Sequence, residues 1–170
     1  METERSLPTL MNQTTATTLN EWIAVIQETA TTADAISRIE TAKAEAASDR
    51  QHDRLDGYIQ REQALILKLR GLEQKRTHLA ESLGWKGLTF RQILEKSSEE
   101  ERKSLQPVFD HLEETLHGLE HSRKASEQII NVRLHELQVA IARKEGGSYD
   151  DAGNVNLNSP YHSKMKDRYV

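Results

Sequence analysis

The sequence predicts an all-α protein: an antiparallel bundle of three long helices plus one short helix, with coiled-coil-like packing and a flexible C-terminal tail. Three observations carry this. Ala, Glu, Lys, Leu and Arg make up 76 of the 170 residues, close to the roughly one-half typical of long helices and coiled coils. Proline occurs only at Pro8, Pro107 and Pro160, so nothing forbids long helices between Thr9 and Gln106. Apolar residues recur at spacings of three and four through most of the chain, the period of one helix face. The apolar fraction of 36% is lean beside the roughly 45–50% (Gly included) of ordinary globular domains. That argues against a compact β protein or a large α/β enzyme.

Residues 1–14 read as a polar, loosely ordered lead-in. The first helix is expected from about Thr15 to Ala47, with an apolar stripe of Leu19, Trp22, Ile23, Ile26, Ala30, Ala33 and Ile36. After Ile39 the stripe weakens to alanines, which favour helix but bury little area. Ser48 and Asp49 sit where they end this helix or cap the next.

The second helix, about Asp49–Leu83, carries the clearest heptads. Leu55, Leu69 and Leu83 share one position; Tyr58, Leu65, Leu72 and Leu79 share the other. Ile59 and Ile66 widen the seam, so this helix faces more than one partner helix. Glu62 and Arg76 interrupt the first position, either to set register or to reach water past their stems.

Gly84-Trp85-Lys86-Gly87 breaks the pattern. Thr89 then caps a short helix from Phe90 to Lys96. Ser97 with Glu100, and Ser98 with Glu101, are overlapping capping boxes. The last long helix runs to about Glu145, and Pro107 means that it starts near Ser104 or kinks. Its stripe of Leu105, Phe109, Leu112, Leu116 and Leu119 turns polar at Arg123 and Ser126. It resumes, shifted, at Ile130, Leu134, Leu137 and Ile141. The polar break marks either a partly exposed stretch or a point where the helix projects beyond its neighbours. In the second case the four residues after it form an exposed apolar strip, the usual mark of a partner site.

Gly146-Gly147 stops the helix, which divides the chain into a bundle at 1–147 and a tail at 148–170. In the tail Leu157, Tyr161, Met165 and Tyr169 recur every fourth residue. So short a segment gains helix only by docking on something.

The charge is mixed and sums to −4. No basic excess exists to neutralise phosphates, so nucleic acid is not expected as a partner. The chain has no cysteine, hence no disulfide, thiolate nucleophile or Cys-ligated zinc. No apolar signal core follows the first residues and no run reaches the roughly 18 apolar residues of a membrane span. A cytoplasmic protein is expected, monomeric when free and without membrane insertion.

Chemistry-bearing patterns are weak. Glu114 and His117 form one Glu-x-x-His pair, with His121 a turn further on, but a di-iron bundle needs two such pairs and two more carboxylates. A solvated helix face explains them better. Asp150-Asp151-Ala152-Gly153-Asn154 lacks the alternating acids and the twelfth-position Glu of a calcium loop. Neither an enzyme nor a metal or cofactor site is expected.

Two stretches together resemble a known family, the FlgN-type flagellar type III export chaperones. One is Asp56-Gly57-Tyr58-Ile59-Gln60-Arg61-Glu62-Gln63-Ala64-Leu65, continuing through Leu72-Glu73-Gln74-Lys75-Arg76-Thr77-His78-Leu79 to Leu83-Gly84. The other is Asn131, the apolar run Leu134–Ile141, and Ser148-Tyr149-Asp150-Asp151-Ala152-Gly153. The likeness covers about residues 50–155; the first helix, poor in leucine at Thr29–Asp34, departs from it. The resemblance implies a chaperone that binds the C-terminal helical region of the hook–filament junction proteins FlgK and FlgL and delivers them to the flagellar export gate. Tyr149, within the Tyr-Asp-x-x-Gly motif completed by Asp150 and Gly153, resembles a docking residue for that gate. The candidate partner-binding residues are thus Ile130, Leu134, Leu137 and Ile141 on the last helix, and Tyr149, Asp150, Gly153, Leu157, Tyr161, Met165 and Tyr169 in the tail. A generic coiled-coil adaptor is the alternative.

Overall fold

The computed structural model describes residues 7–144, with side chains from residue 13. Four helices follow one another: α1 (Leu7–Ser48), α2 (His52–Ser82), α3 (Phe90–Lys96) and α4 (Glu99–Lys144). Helix α1 starts well before Thr15, so the expectation of a loose lead-in fails for residues 7–14. Pro8 lies in the first helical turn, where its missing N–H costs nothing. Further along, threonine hydroxyls donate to the carbonyl one turn back, Thr17 to Gln13 and Thr18 to Thr14, both at 2.9 Å. That satisfies the hydroxyls within the helix and lets a threonine-rich segment stay helical.

Helix α1 ends in a Schellman turn. The Gln51 N–H donates to the Ala46 carbonyl at 2.8 Å and the Arg50 N–H to that of Ala47 at 3.3 Å. Arg50 takes the left-handed position, with φ 58°. Neither Ser48 nor Asp49 caps α2, whose N-cap is Gln51 without a side-chain bond. The same motif closes α2, from Trp85 N–H to the Ala80 carbonyl, with Gly84 at φ 75°.

Thr89 caps α3 as expected, in a reciprocal box with Gln92. At α4 only one of the two expected boxes forms. Glu101 accepts from the Ser98 N–H at 2.8 Å and the Ser98 hydroxyl accepts from the Glu101 N–H at 3.2 Å. The Ser97 hydroxyl instead donates to the Ile93 carbonyl at 2.7 Å. Helix α4 therefore begins at Glu99 and runs unbroken through Pro107. The proline leaves the Lys103 carbonyl without its usual i+4 donor.

Helix α2 runs antiparallel to α1, and α4 returns parallel to α1. The α1–α4 register is tied at two points 85 residues apart in sequence. The Ser37 and Ser122 hydroxyls are 2.7 Å apart, and the Arg133 guanidinium donates to the Ser48 carbonyl at 3.1 Å. Helix α1 packs against both α2 and α4, whereas the backbones of α2 and α4 stay apart and the two helices share side-chain packing at the core end, where Leu72 and Leu79 join one cluster with Leu105, Phe109 and Leu112.

The core lies at the end of the bundle closed by α3. Trp22 is fully buried, with Trp85, Phe90 and Phe109 edge-on to it at centroid distances of 5.3, 6.1 and 5.6 Å. Ile26, Leu72, Leu79, Ile93, Leu105 and Leu112 are among the aliphatic residues of the same cluster. Toward the other end the interface turns small. Ala44, Ala46 and Ala47 of α1 are buried, and so is Ser126 of α4. The polar break at Arg123 and Ser126 is thus not where α4 outruns its neighbours. Ser126 is a small residue in close packing, and α4 stays beside α1 as far as Arg133. Residues 134–144 lie beyond the level of Ser48 in the α1–α4 register, about 16 Å at 1.5 Å per residue, and Ala142 among them is buried.

Candidate partner-binding surfaces

Two apolar surfaces are left open. The first is the C-terminal end of α4. Ile130 is half-buried at its base, and Leu134, Leu137 and Ile141 are 51%, 49% and 48% exposed. Their spacing of four, three and four keeps them on one side of the helix. Val132, 57% exposed, adds to the apolar surface of this segment. The tail expected at 148–170, with the candidates Tyr149, Asp150, Gly153, Leu157, Tyr161, Met165 and Tyr169, lies outside the described residues, as does the Gly146-Gly147 stop.

The second surface follows from the separation of α2 and α4. With α1 as floor, the two helices form the walls of a trough of about 790 Å³. Ile59, Ile66 and Leu69 come from α2 and Leu116, Leu119 and Ile130 from α4. Ile59, Ile66 and Leu116 are 37%, 40% and 45% exposed. Toward the core a further cleft continues from Leu69 and Leu116 to Leu88 and Phe90. Except for Ile130, these residues are absent from the candidates drawn from the sequence. The extra isoleucines on α2 were the available signal, because they mark a face wider than one partner covers.

The floor of the trough is charged. Lys43 of α1 lies 2.6 Å from Glu62 of α2 and 3.1 Å from Glu40 of α1. The three side chains are only 11%, 14% and 6% exposed. Glu62 therefore sets register by pairing inward. Arg76, the other break in the heptads, makes a two-pronged pair with Glu73 on its own helix at 2.7 and 2.6 Å.

Two carboxylates share one ammonium, and their proton affinities split. Burial pushes Glu62 up and its hydrogen bond with Glu40 pushes it further, against the pull of Lys43. Burial also disfavours the Glu40 anion, but hydrogen bonding with Glu62, Ser126 and Lys43 outweighs it and holds Glu40 below the usual carboxylate range. Burial opposes the Lys43 charge too, and its two carboxylate partners overcome that and raise it. The Ser126 hydroxyl acts on Glu40 without the geometry of a full hydrogen bond, and has no hydrogen-bond partner among the described residues.

The histidine cluster brings no ligand set together. His117 lines a cleft with Phe90 and Leu94, and His121 lines another with Thr41 and Ala44. Among the described residues no three His, Asp or Glu side chains gather where they would hold a metal ion. No helix of the described residues is long and apolar enough to cross a membrane.

An open helical array with exposed apolar walls suits a protein that holds another helix. The sequence profile of the family described as FlgN protein matches residues 11–155, and so includes α1, which the likeness of the helical motifs left out. No curated protein and no solved structure matches the chain. The chain belongs to the FlgN family, the flagellar export chaperones.

Proposed function

We propose that this chain is a cytoplasmic chaperone that binds the C-terminal helical region of the hook–filament junction proteins FlgK and FlgL and delivers them to the flagellar export gate. The observation that carries this reading is the exposed strip of Leu134, Leu137 and Ile141 on the part of α4 that lies beyond the level of Ser48. An export chaperone must cover apolar helices that otherwise self-associate, and release them without chemistry of its own. Each Leu or Ile fully covered in the complex contributes roughly 1.5–3 kcal/mol. Ordering a tail on binding costs entropy and keeps the complex reversible. The tail residues Leu157, Tyr161, Met165 and Tyr169 are assigned to the partner in this reading, and Tyr149 with Asp150 and Gly153 to the gate.

The test is size exclusion with light scattering. Purified FlgK and FlgL are mixed with the full chain and with a version ending at Gly147. A defined complex with the full chain, weakened by truncation, supports the reading. Absence of a complex with either protein refutes it and favours a coiled-coil adaptor. Unchanged binding by the truncated chain removes the tail from the site.

A further inference from the structure

We infer that the trough between α2 and α4 is the seat of one amphipathic helix from the exported partner, apolar on its inner face and basic along its edges. This rests on the chaperone reading above and adds a second site to the strip on the α4 end.

Three observations converge. Helix α2 carries two apolar faces, the heptad seam that meets α1 and the Ile59–Ile66 face beside it, yet its backbone packs closely on α1 and not on α4, and Ile59 and Ile66 stay 37% and 40% exposed. Helix α4 presents Leu116 and Leu119 to the same gap. A helix laid in the gap would touch α1, α2 and α4 at once and complete a four-helix arrangement, the usual way such faces are buried. The length matches. Between Leu116 and Asn131 the α4 wall is about 23 Å long at 1.5 Å per residue, enough for a helix of roughly 15 residues.

The charge gives the occupant its chemistry. Glu40, Glu62, Glu120 and Glu127 line the trough against Lys43 and Arg123, with Lys124 at the rim paired to Glu120 at 2.7 Å, which leaves an excess of one carboxylate. Two carboxylates on the floor share a single ammonium. A basic helix offsets that excess and is steered toward it, whereas an acidic helix is repelled.

The chain has no cysteine, so Ile66→Cys carries a single benzophenone label facing the trough. Light activation in the presence of purified FlgK or FlgL is expected to cross-link the label to a basic amphipathic helix of the partner. Binding is then measured for Ile66→Asp/Leu116→Asp and for Glu120→Lys/Glu127→Lys. These positions are on the open walls, and retained helicity and melting temperature verify the fold. The apolar pair is expected to weaken binding roughly a hundredfold, and the charge reversal about tenfold with a flatter salt dependence. Leu67→Asp, on the exposed back of α2, is expected to bind as the native chain does.

If the native chain binds neither protein, the chaperone reading fails and this inference with it. If it binds but both double variants bind equally well, the function stands and the trough is not the seat. A label that cross-links to a second copy, or to residues 145–170 of its own chain, overturns the assignment to a partner helix. Loss on the apolar pair without any effect of charge reversal overturns the basic character.

Discussion

Replacing Lys43 with Met removes the one cation of the buried triad while keeping most of the side-chain volume, so the packing loss is small. Glu40 and Glu62, 6% and 14% exposed, then face each other without their common ammonium. Removing one partner of a buried ion pair costs about 3–5 kcal/mol. The two carboxylates can share a proton, so the expected loss at pH 7.5 is near the lower figure, about 3 kcal/mol. The pH dependence follows from the shifts. In the native protein the raised Glu62 contributes stability that is complete below its unfolded pKa and lost as pH rises through its folded value. The lowered Glu40 contributes stability present above its unfolded pKa and lost as pH falls through its folded value. The raised Lys43 contributes throughout this range and is lost only above its ordinary 10.5. Without Lys43 both carboxylates move up, so the variant regains stability as pH falls toward 5. Urea unfolding followed by circular dichroism at pH 7.5 and pH 5 reads this directly. An equal loss at both pH values, or a loss under about 1 kcal/mol at pH 7.5, refutes the account. Adding Glu62→Gln to the variant removes the second charge and is expected to restore about half of the loss at pH 7.5.

Trp22→Ala empties the centre of the aromatic cluster and is expected to cost about 4 kcal/mol with loss of the near-ultraviolet signal, measured by thermal and urea unfolding. Arg50→Gly relieves a left-handed φ of 58° at the cost of a floppier unfolded chain, and is expected to stabilise by about 0.5 kcal/mol in urea midpoint. Ser98→Ala removes one half of the box that starts α4 and is expected to cost about 1 kcal/mol in the same assay.

How much of this was legible depended on whether a residue's role is local. The stripe from Trp22 to Ile36 is a helix-period signal, and its residues are buried or half-buried. Thr89 and Ser98 cap because capping geometry is set within four residues. The start of α1 was missed because residues 1–14 read as a polar lead-in, and a polar stretch carries no apolar stripe to mark a helix that the backbone nonetheless forms from Leu7. The alanines at 44, 46 and 47 were read as burying little. Their burial comes from how closely neighbouring helices approach α1, which no local pattern reports. The sequence signalled that α2 needs two neighbours. Which of them the chain itself supplies is a property of the whole arrangement, and so the trough had no counterpart among the sequence candidates.

The parallel pairing of α1 with α4 also dictates an order of events in synthesis. Ser37 waits for Ser122, 85 residues downstream. At about 5–20 residues per second on the ribosome, that interval is roughly 4–17 s. During it the α1–α2 hairpin can form, since its contacts are local, but Phe109 is not yet present to cover Trp22. The nascent chain therefore passes through a stage with an exposed tryptophan face. Folding to completion is gated by delivery of α4 rather than by the speed of helix formation. A ribosome stalled between the codons for α2 and α4 would hold this protein in its most aggregation-prone form.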